Sequence, residues 1–262
     1  MLKRLTFLMK DYLQKYLRER PLFLALIRAR EVLLFSQLPR FGKPILDLGC
    51  GDGFFAKIAF GKLDVGVDVE DSRISEVQDG TYGKIVTYDG KKLPFDDKSF
   101  GTVVSNCVLE HIPNIDQVLR ETGRVTKPGG RFVTTVMTAS WEKNLVGSVL
   151  LGNAYVTWMK KKQVHFNLLS SAQWEEKFKK AGFEVVQKTG YLSPAACRLM
   201  DIAHYISVPS LITRTIFGKW VLWPTLTKWY PLDYFIKIMN TPVSAEKSGA
   251  IFWVLKRKSS QK

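Results

Sequence analysis

The sequence predicts an α/β chain built on a doubly wound sheet, and three observations carry that prediction. Residues 45–53 read Ile-Leu-Asp-Leu-Gly-Cys-Gly-Asp-Gly, a short apolar strand running straight into three glycines at alternate positions. A second strand, Leu63-Asp-Val-Gly-Val, ends at an acid, Asp68, about 20 residues after the glycines, the interval at which an acid can hold both hydroxyls of a ribose. A third, Lys84–Thr87, runs into Tyr88-Asp89-Gly90 and then Leu93-Pro-Phe.

Each element has a local reason. Gly49, Gly51 and Gly53 lack a Cβ, so the chain can turn tightly and a ligand can approach its backbone. The helix that follows points its free N–H groups and positive end at that ligand. The dinucleotide pattern G-x-G-x-x-G fits poorly: Ala56 stands only as a permitted substitute at its last position. Asp47 sits inside the strand end, two residues before the first glycine. A carboxylate at Asp89 could accept a hydrogen bond from an adenine amino group.

Together with VVSNCVLEHI (103–112) and LRETGRVTKPGGRFVTTV (119–136), the blocks ILDLGCGDG (45–53), VGVDV (65–69) and YDGKKLPFDDKSF (88–100) fall in one order and spacing. In this the chain resembles the class I S-adenosylmethionine-dependent methyltransferases, of the large group acting on small molecules and lipids. The resemblance implies a Rossmann-like seven-stranded sheet with the last strand antiparallel, and S-adenosyl-L-methionine as cofactor. It implies that Asp47 orients the glycine loop and meets the methionine amino group, often through water. Gly49, Gly51 and Gly53 would wrap the methionine moiety. Asp68 would hold the ribose, Val69 would pack on the adenine face and Asp89 would meet the adenine amino group. The backbone carbonyl of Asn106 would contact the methionine amino group, and Cys50 and Gly90 complete the expected cofactor-binding set. Two departures stand out. Gly101 follows Phe100 where the family usually has an acid, which predicts a looser start to the fourth strand. The segment 70–80 has too few apolar positions for a covering helix and reads as a short helix or an ordered loop.

After the fifth strand (Arg131–Met137) comes an excursion containing Lys160-Lys-Lys and His165-Phe-Asn-Leu-Leu-Ser-Ser. Ser170 or Ser171 is the expected N-cap of a helix Ala172–Lys180, with Gly182 beyond its end. Strand six is expected at Phe183–Gln187 and the last strand at Ala250–Leu255. Between them, Asp201 to Asn240 reads as two or more apolar helices broken by Pro209, Pro224 and Pro231. The expected organisation is an N-terminal helical extension (1–43), a cofactor-binding core (44–190, with a substrate-side excursion at 138–170), a helical insertion capping the substrate side (191–248), and a last core strand with a basic tail (249–262).

The 262-residue chain carries a net charge of +15, unevenly placed. Residues 44–139 hold eleven Lys/Arg against fourteen Asp/Glu, so the flanks hold all the excess. Positive charge on substrate-facing additions suggests an anionic partner: a phosphate-bearing small molecule, a lipid surface or a nucleic acid. All seven tryptophans lie after residue 140. Beside Lys and Arg they fit an interfacial surface; equally they fit a second helical core. Leu2, Leu5, Met9, Tyr12 and Tyr16 form one helical stripe, widened by Leu8, Leu13 and Leu17 and ringed by Lys3, Arg4, Lys10, Lys15, Arg18 and Arg20, either lying on anionic lipid or packing as an N-terminal cover. Pro21 ends this helix or starts the next. Three dispersed cysteines form no metal or disulfide pattern. Lys10 and Asp11 interrupt any leader-type apolar core, and no stretch reaches the ~18–20 apolar residues of a membrane span. The expected location is the cytoplasm, either in solution or at the inner face of a membrane.

A sulfonium methyl is already activated, so the enzyme must mainly align a nucleophile and exclude water. A base is needed only for a poor nucleophile such as a hydroxyl. His111, after Glu110 at the end of the fourth strand, and His165 in the excursion are the candidate catalytic residues; the alternative for each is a structural histidine, as for His204. The Leu-Glu-His triplet also resembles ubiquinone-pathway O-methyltransferases with a metal site, but Cys107 stands where a further acid would be needed, so no metal is expected. The leading reading is methyl transfer to an oxygen or nitrogen of a small or lipid-linked acceptor. A nucleic-acid methyltransferase would usually carry Asn/Asp-Pro-Pro-aromatic after the fourth strand to grip a flipped base; here stands Asn106-Cys-Val-Leu. A membrane-attached scaffold without catalysis would not need the intact glycine loop and both acids.

Overall fold

The structure, a computed structural model, describes residues 2–70 and 72–259. The expected loop residue Asp71 and the end of the basic tail, 260–262, lie outside the described residues, as do the side chains of Leu2 and Lys3. Helices α1 (Leu2–Leu17) and α2 (Leu22–Ser36) precede β1 (Ile45–Leu48), α3 (Phe54–Phe60), β2 (Leu63–Val69), β3 (Tyr82–Tyr88) and β4 (Phe100–Asn106). Then come α4 (Ile115–Val125), β5 (Thr126–Met137), α5 (Ala139–Lys143), α6 (Val146–Leu151), α7 (Asn153–Gln163), α8 (Ser171–Lys180) and β6 (Phe183–Gly190). Helices α9 (Pro194–Ile206), α10 (Val208–Phe217) and α11 (Leu232–Met239) lead to β7 (Ala250–Arg257).

The seven strands form one sheet in the order β3-β2-β1-β4-β5-β7-β6, with β1 to β5 parallel to their neighbours and β7 antiparallel to β5. This is the Rossmann-like doubly wound sheet expected from the sequence. All four residues of β1 are buried, as befits a short apolar strand paired in parallel on both sides. The strand order reverses between β1 and β4, so a crevice opens there at the carboxyl ends of the strands.

Contacts divide the chain into two compact units. The sheet unit comprises 38–139, 163–189 and 250–262; the helical unit comprises 1–37, 140–162 and 190–249. Residues 140–162 thus group with the helical unit, not with the core to which the sequence assigned them.

In the sheet unit, Gly101 explains its own departure from the family pattern. A Cβ there would lie 2.8 Å from the carbonyl oxygens of Gly42 and Lys43. Its N–H donates to the Pro44 carbonyl at 2.9 Å, and the β4–β5 register shifts between Phe100 and Thr102. The strand start is therefore irregular but tightly packed. After β2 the chain makes only a 3-10 turn, Arg73–Glu76, within the segment expected to be a short helix or loop. Ser170 is the N-cap of α8, in a reciprocal capping box with Gln173.

In the helical unit, α1 packs on α2 and buries Met9, Leu13, Tyr16 and Leu17. All four lie on the predicted face, whose other described residues, Leu5, Leu8 and Tyr12, are only half-buried, and that face is used for internal packing. That leaves the reading of α1 as a lipid-lying helix without its apolar face. Pro21 is the N-cap residue of α2. Within the insertion, helix starts at Pro194, ahead of the expected helical stretch Asp201–Asn240, because Ser193 caps α9 through a 3.2 Å bond from the Ala196 N–H. No helix among the described residues is long and apolar enough to cross a membrane.

Candidate active site

Parallel pairing brings the loops after β1, β2, β3 and β4 to one edge of the sheet unit. Gly49, Gly51 and Gly53 all adopt positive φ (77°, 53° and 70°). They are not equivalent. A Cβ on Gly49 would lie 2.5 Å from the Val108 methyls, whereas one on Gly51 would meet nothing within 4 Å. Gly49 is a packing position where the β1 loop crosses the β4 loop; Gly51 leaves open space at the crest of the turn.

Asp68 ties the loops together. Its Oδ2 accepts from the Gly51 N–H at 2.7 Å and its Oδ1 from the Val69 N–H at 2.8 Å. Each oxygen retains a further acceptor site, the arrangement needed to receive two hydroxyls. Burial pushes its carboxyl above the ordinary value, outweighing those two bonds. Val69 is exposed beside Gly90, whose φ is 74°. Asp89 is exposed and its Oδ1 accepts from the N–H groups of Lys91 (2.9 Å) and Lys92 (3.0 Å). Those bonds, Lys92 first, hold it below the usual carboxylate range.

Asp47 is buried, and the Tyr82 hydroxyl donates to its Oδ2 at 2.6 Å. Burial pushes its carboxyl up to about 7, against the lowering effect of Tyr82. The Cys50 thiol is buried and pushed far up, first by desolvation, so Cys50 can serve the loop through its backbone but is no thiolate nucleophile. At the end of β4 the Thr135 hydroxyl donates to Asn106 Oδ1 at 2.8 Å and accepts from the Cys107 N–H at 2.9 Å. This fixes Cys107 at a φ of 51°, so the chain turns sharply at the strand end.

The structure brings the two candidate bases together. The rings of His111 and His165 lie 4.8 Å apart and tilted by 34°; His111 is exposed and His165 buried. The Phe166 and Asn167 N–H groups donate to the Glu110 carbonyl (2.9 and 3.0 Å), and the Asn167 amide donates to the carbonyls of Leu109 and Ile112 (3.2 and 2.6 Å). The stretch 165–167 is thereby clamped on the turn that carries His111. His111 Nδ1 lies 3.1 Å from the Val164 carbonyl. A carbonyl only accepts, so Nδ1 carries the proton and Nε2 is the basic nitrogen of the neutral ring. His204 lies elsewhere, in the helical unit, edge-on to Phe23 at 4.9 Å, and is structural.

Sequence reasoning missed Tyr82, Thr135, Asn167 and Arg124. The Arg124 guanidinium donates to the carbonyls of Leu93 and Phe95 and to Glu121 and Asp97, at 2.7–2.9 Å. It ties the loop after Asp89 to α4 and so links two of the five motif blocks. Asp96-Asp97 and Glu121-Thr-Gly-Arg124 show as charges in the sequence, but their pairing does not.

The sheet order, the glycine turn and the acids at the ends of β1, β2 and β3 are those of a class I S-adenosylmethionine-dependent methyltransferase. Residues 46–134 match the family model described as a methyltransferase domain. Over 110 residues the chain is 36% identical to a sterol 4-C-methyltransferase of Caenorhabditis elegans, a match covering 38% of this chain and 33% of that protein. It is 29% identical over 196 residues to an uncharacterized protein of Methanocaldococcus jannaschii, covering 69% and 73%. Among solved structures, phosphoethanolamine N-methyltransferase 2 of Haemonchus contortus in complex with S-adenosyl-L-methionine superposes with a TM-score of 0.55 at 19% identity, over 92% of this chain and 54% of that one. The chain thus spans a third of the first relative's length. The open turn at Gly51 and the lone pairs left on Asp68 fit S-adenosyl-L-methionine as the cofactor.

Proposed function

We propose that this chain transfers a methyl group to an oxygen or nitrogen of a small or lipid-linked acceptor of anionic character. When bound, S-adenosylmethionine supplies a sulfonium methyl that needs no further activation. Asp68 receives the ribose hydroxyls, Asp89 the adenine amino group, and Asp47, with the Asn106 carbonyl, the methionine ammonium. The glycine turn wraps the methionine end, and Val69 covers the adenine face. His111 Nε2 takes the proton from a hydroxyl acceptor, while His165 orients the His111 ring. The observation that carries the reading is the pairing of His165 with His111, which stands on the turn directly after β4, on the same sheet edge as Asp47, Asp68 and Asp89.

Two further facts support the acceptor class. A relative named for a sterol, an apolar acceptor, shares 36% identity over 110 residues. The helical unit carries eighteen Lys and Arg against seven Asp and Glu, a net +11 of the chain's +15, which draws anionic molecules.

Methyl-labelled S-adenosylmethionine, the purified chain and an extract of its own cells test this, with Gly51→Arg as control. Label that enters the organic phase only with the active protein identifies a lipid-linked acceptor. Label confined to the aqueous phase identifies a soluble one. Absence of transfer in both phases, with the cofactor demonstrably bound, overturns the proposal.

A further inference from the structure

Twelve exposed large apolar side chains fall between residues 202 and 234 of the helical unit. Their centre is α10, which buries none of its residues. Leu211, Ile212 and Ile216 share one helical face and, with Phe217, are 51–66% exposed. Trp223 and Trp229 follow at 65% and 86%. Keeping a contiguous face of this kind in water is unfavourable, and such faces mark sites that are covered in use.

The charges around that face say what covers it. From Ile202 to Leu232 the chain has no acid, and its cations are Arg214, Lys219 and Lys228. Arg18, Arg20, Arg214 and Lys219 line one open cavity of about 490 Å³, where Glu19 is the acid among the lining residues. The Arg214 guanidinium stacks over Trp220 at 5.7 Å and donates to the Gly218 carbonyl, so this cation is held at the end of α10. Cations at the rim of an apolar helix, with tryptophans alongside, match the layers of a bilayer surface: phosphates above, acyl chains below.

We propose that α10 and the segment through Trp229 form a docking face for an anionic lipid bilayer. Ile212, Ile216 and Phe217 enter the boundary between headgroups and acyl chains, Trp223 and Trp229 sit at headgroup depth, and Arg214 and Lys219 meet lipid phosphates. A second copy of the chain is a poor occupant, because two helical units of net +11 repel each other. A nucleic acid would have no use for the isoleucine face. The proposal is independent of the acceptor and is read without methyl transfer.

Flotation of the full chain with vesicles tests it. One vesicle is phosphatidylcholine alone; the other contains about one third phosphatidylglycerol. The chain is expected to float with the anionic vesicles at low salt and to be released at high salt. Ile212→Glu with Ile216→Glu, and separately Arg214→Glu with Lys219→Glu, should each lower partitioning on the order of tenfold or more. Trp229→Ser, at a side chain too exposed to hold the fold, should weaken it several-fold with an unchanged circular dichroism spectrum. No flotation with anionic vesicles, or equal flotation with both kinds, overturns the proposal. So does a lipid-free dimer that the isoleucine variants abolish.

Discussion

Tyr82 Oη donates a 2.6 Å hydrogen bond to Asp47 Oδ2 across 35 residues of sequence, and both side chains are buried. The partner is a hydroxyl, not a cation, so the bond only partly offsets desolvation and Asp47 titrates at about 7. In an unfolded chain the same carboxyl titrates near 3.8. The folded state therefore holds more protons between those values, and its stability falls as pH rises from about 4 to about 7.

Asp47→Asn should flatten that fall. The amide can still accept from Tyr82 but cannot ionise. Urea unfolding of the cofactor-free protein at pH 4.5 and 7.5 would show a smaller loss of midpoint for the variant than for the parent. Cofactor affinity should rise with pH through about 7 in the parent, because an ammonium favours the ionised carboxyl. Calorimetry in two buffers should detect a proton released on binding near pH 6.5, and none for the variant.

Gly49 and Gly51 separate stability from binding. Gly49→Ala places a Cβ 2.5 Å from Val108 at a left-handed φ and should cost more than ~1–3 kcal/mol of stability. Gly51→Ala bears the conformational cost alone, about 1 kcal/mol, yet fills the open crest of the turn. Thermal melts should rank Gly49→Ala as far less stable, while titration shows Gly51→Ala folded and weak for the cofactor.

His111→Ala should lower kcat/KM for a hydroxyl acceptor roughly 10²- to 10⁴-fold with cofactor affinity unchanged. His165→Gln, acting through the orientation of His111, should lower kcat less and leave the fall in rate on the acid side of the pH profile in place. An acceptor that is already a good nucleophile should show neither effect. Steady-state kinetics across pH 5.5–8.5 distinguish these outcomes.

Gly101→Asp would restore the acid usual in the family. Here it should destabilise by at least ~1–3 kcal/mol, because its Cβ must displace two backbone carbonyls. Circular dichroism melting checks it, and a gain in stability would refute the packing explanation.

The parts of the fold written in contiguous residues were legible. The glycine turn, the acid-ended strands and the capped helix at Ser170 each declare themselves within a few residues. The start of α9 was equally local, since Ser193-Pro194 is an N-cap followed by proline at the first turn, although apolar periodicity does not mark it. Tyr82, Thr135, Arg124 and Asn167 were not legible, because each acts on a partner 27–58 residues away. Spacing along α1 gave a face that includes the buried Met9, Leu13, Tyr16 and Leu17; that Leu5 and Tyr12 on the same face stay half-buried was decided by what packs on it. The tryptophans do not behave as one group. Trp141, Trp174 and Trp253 are core, while Trp223 and Trp229 face solvent.

β7 lies between β5 and β6 in the sheet, yet residues 191–249 must be made before it. On the ribosome, the helical unit's sequence is complete while β5 and β6 still have no strand between them. Two edges with open N–H and C=O rows then persist until residues 250–257 emerge. The nascent chain therefore has an interval in which it is prone to pair with the wrong strand, and an early stop before β7 would leave that interval permanent.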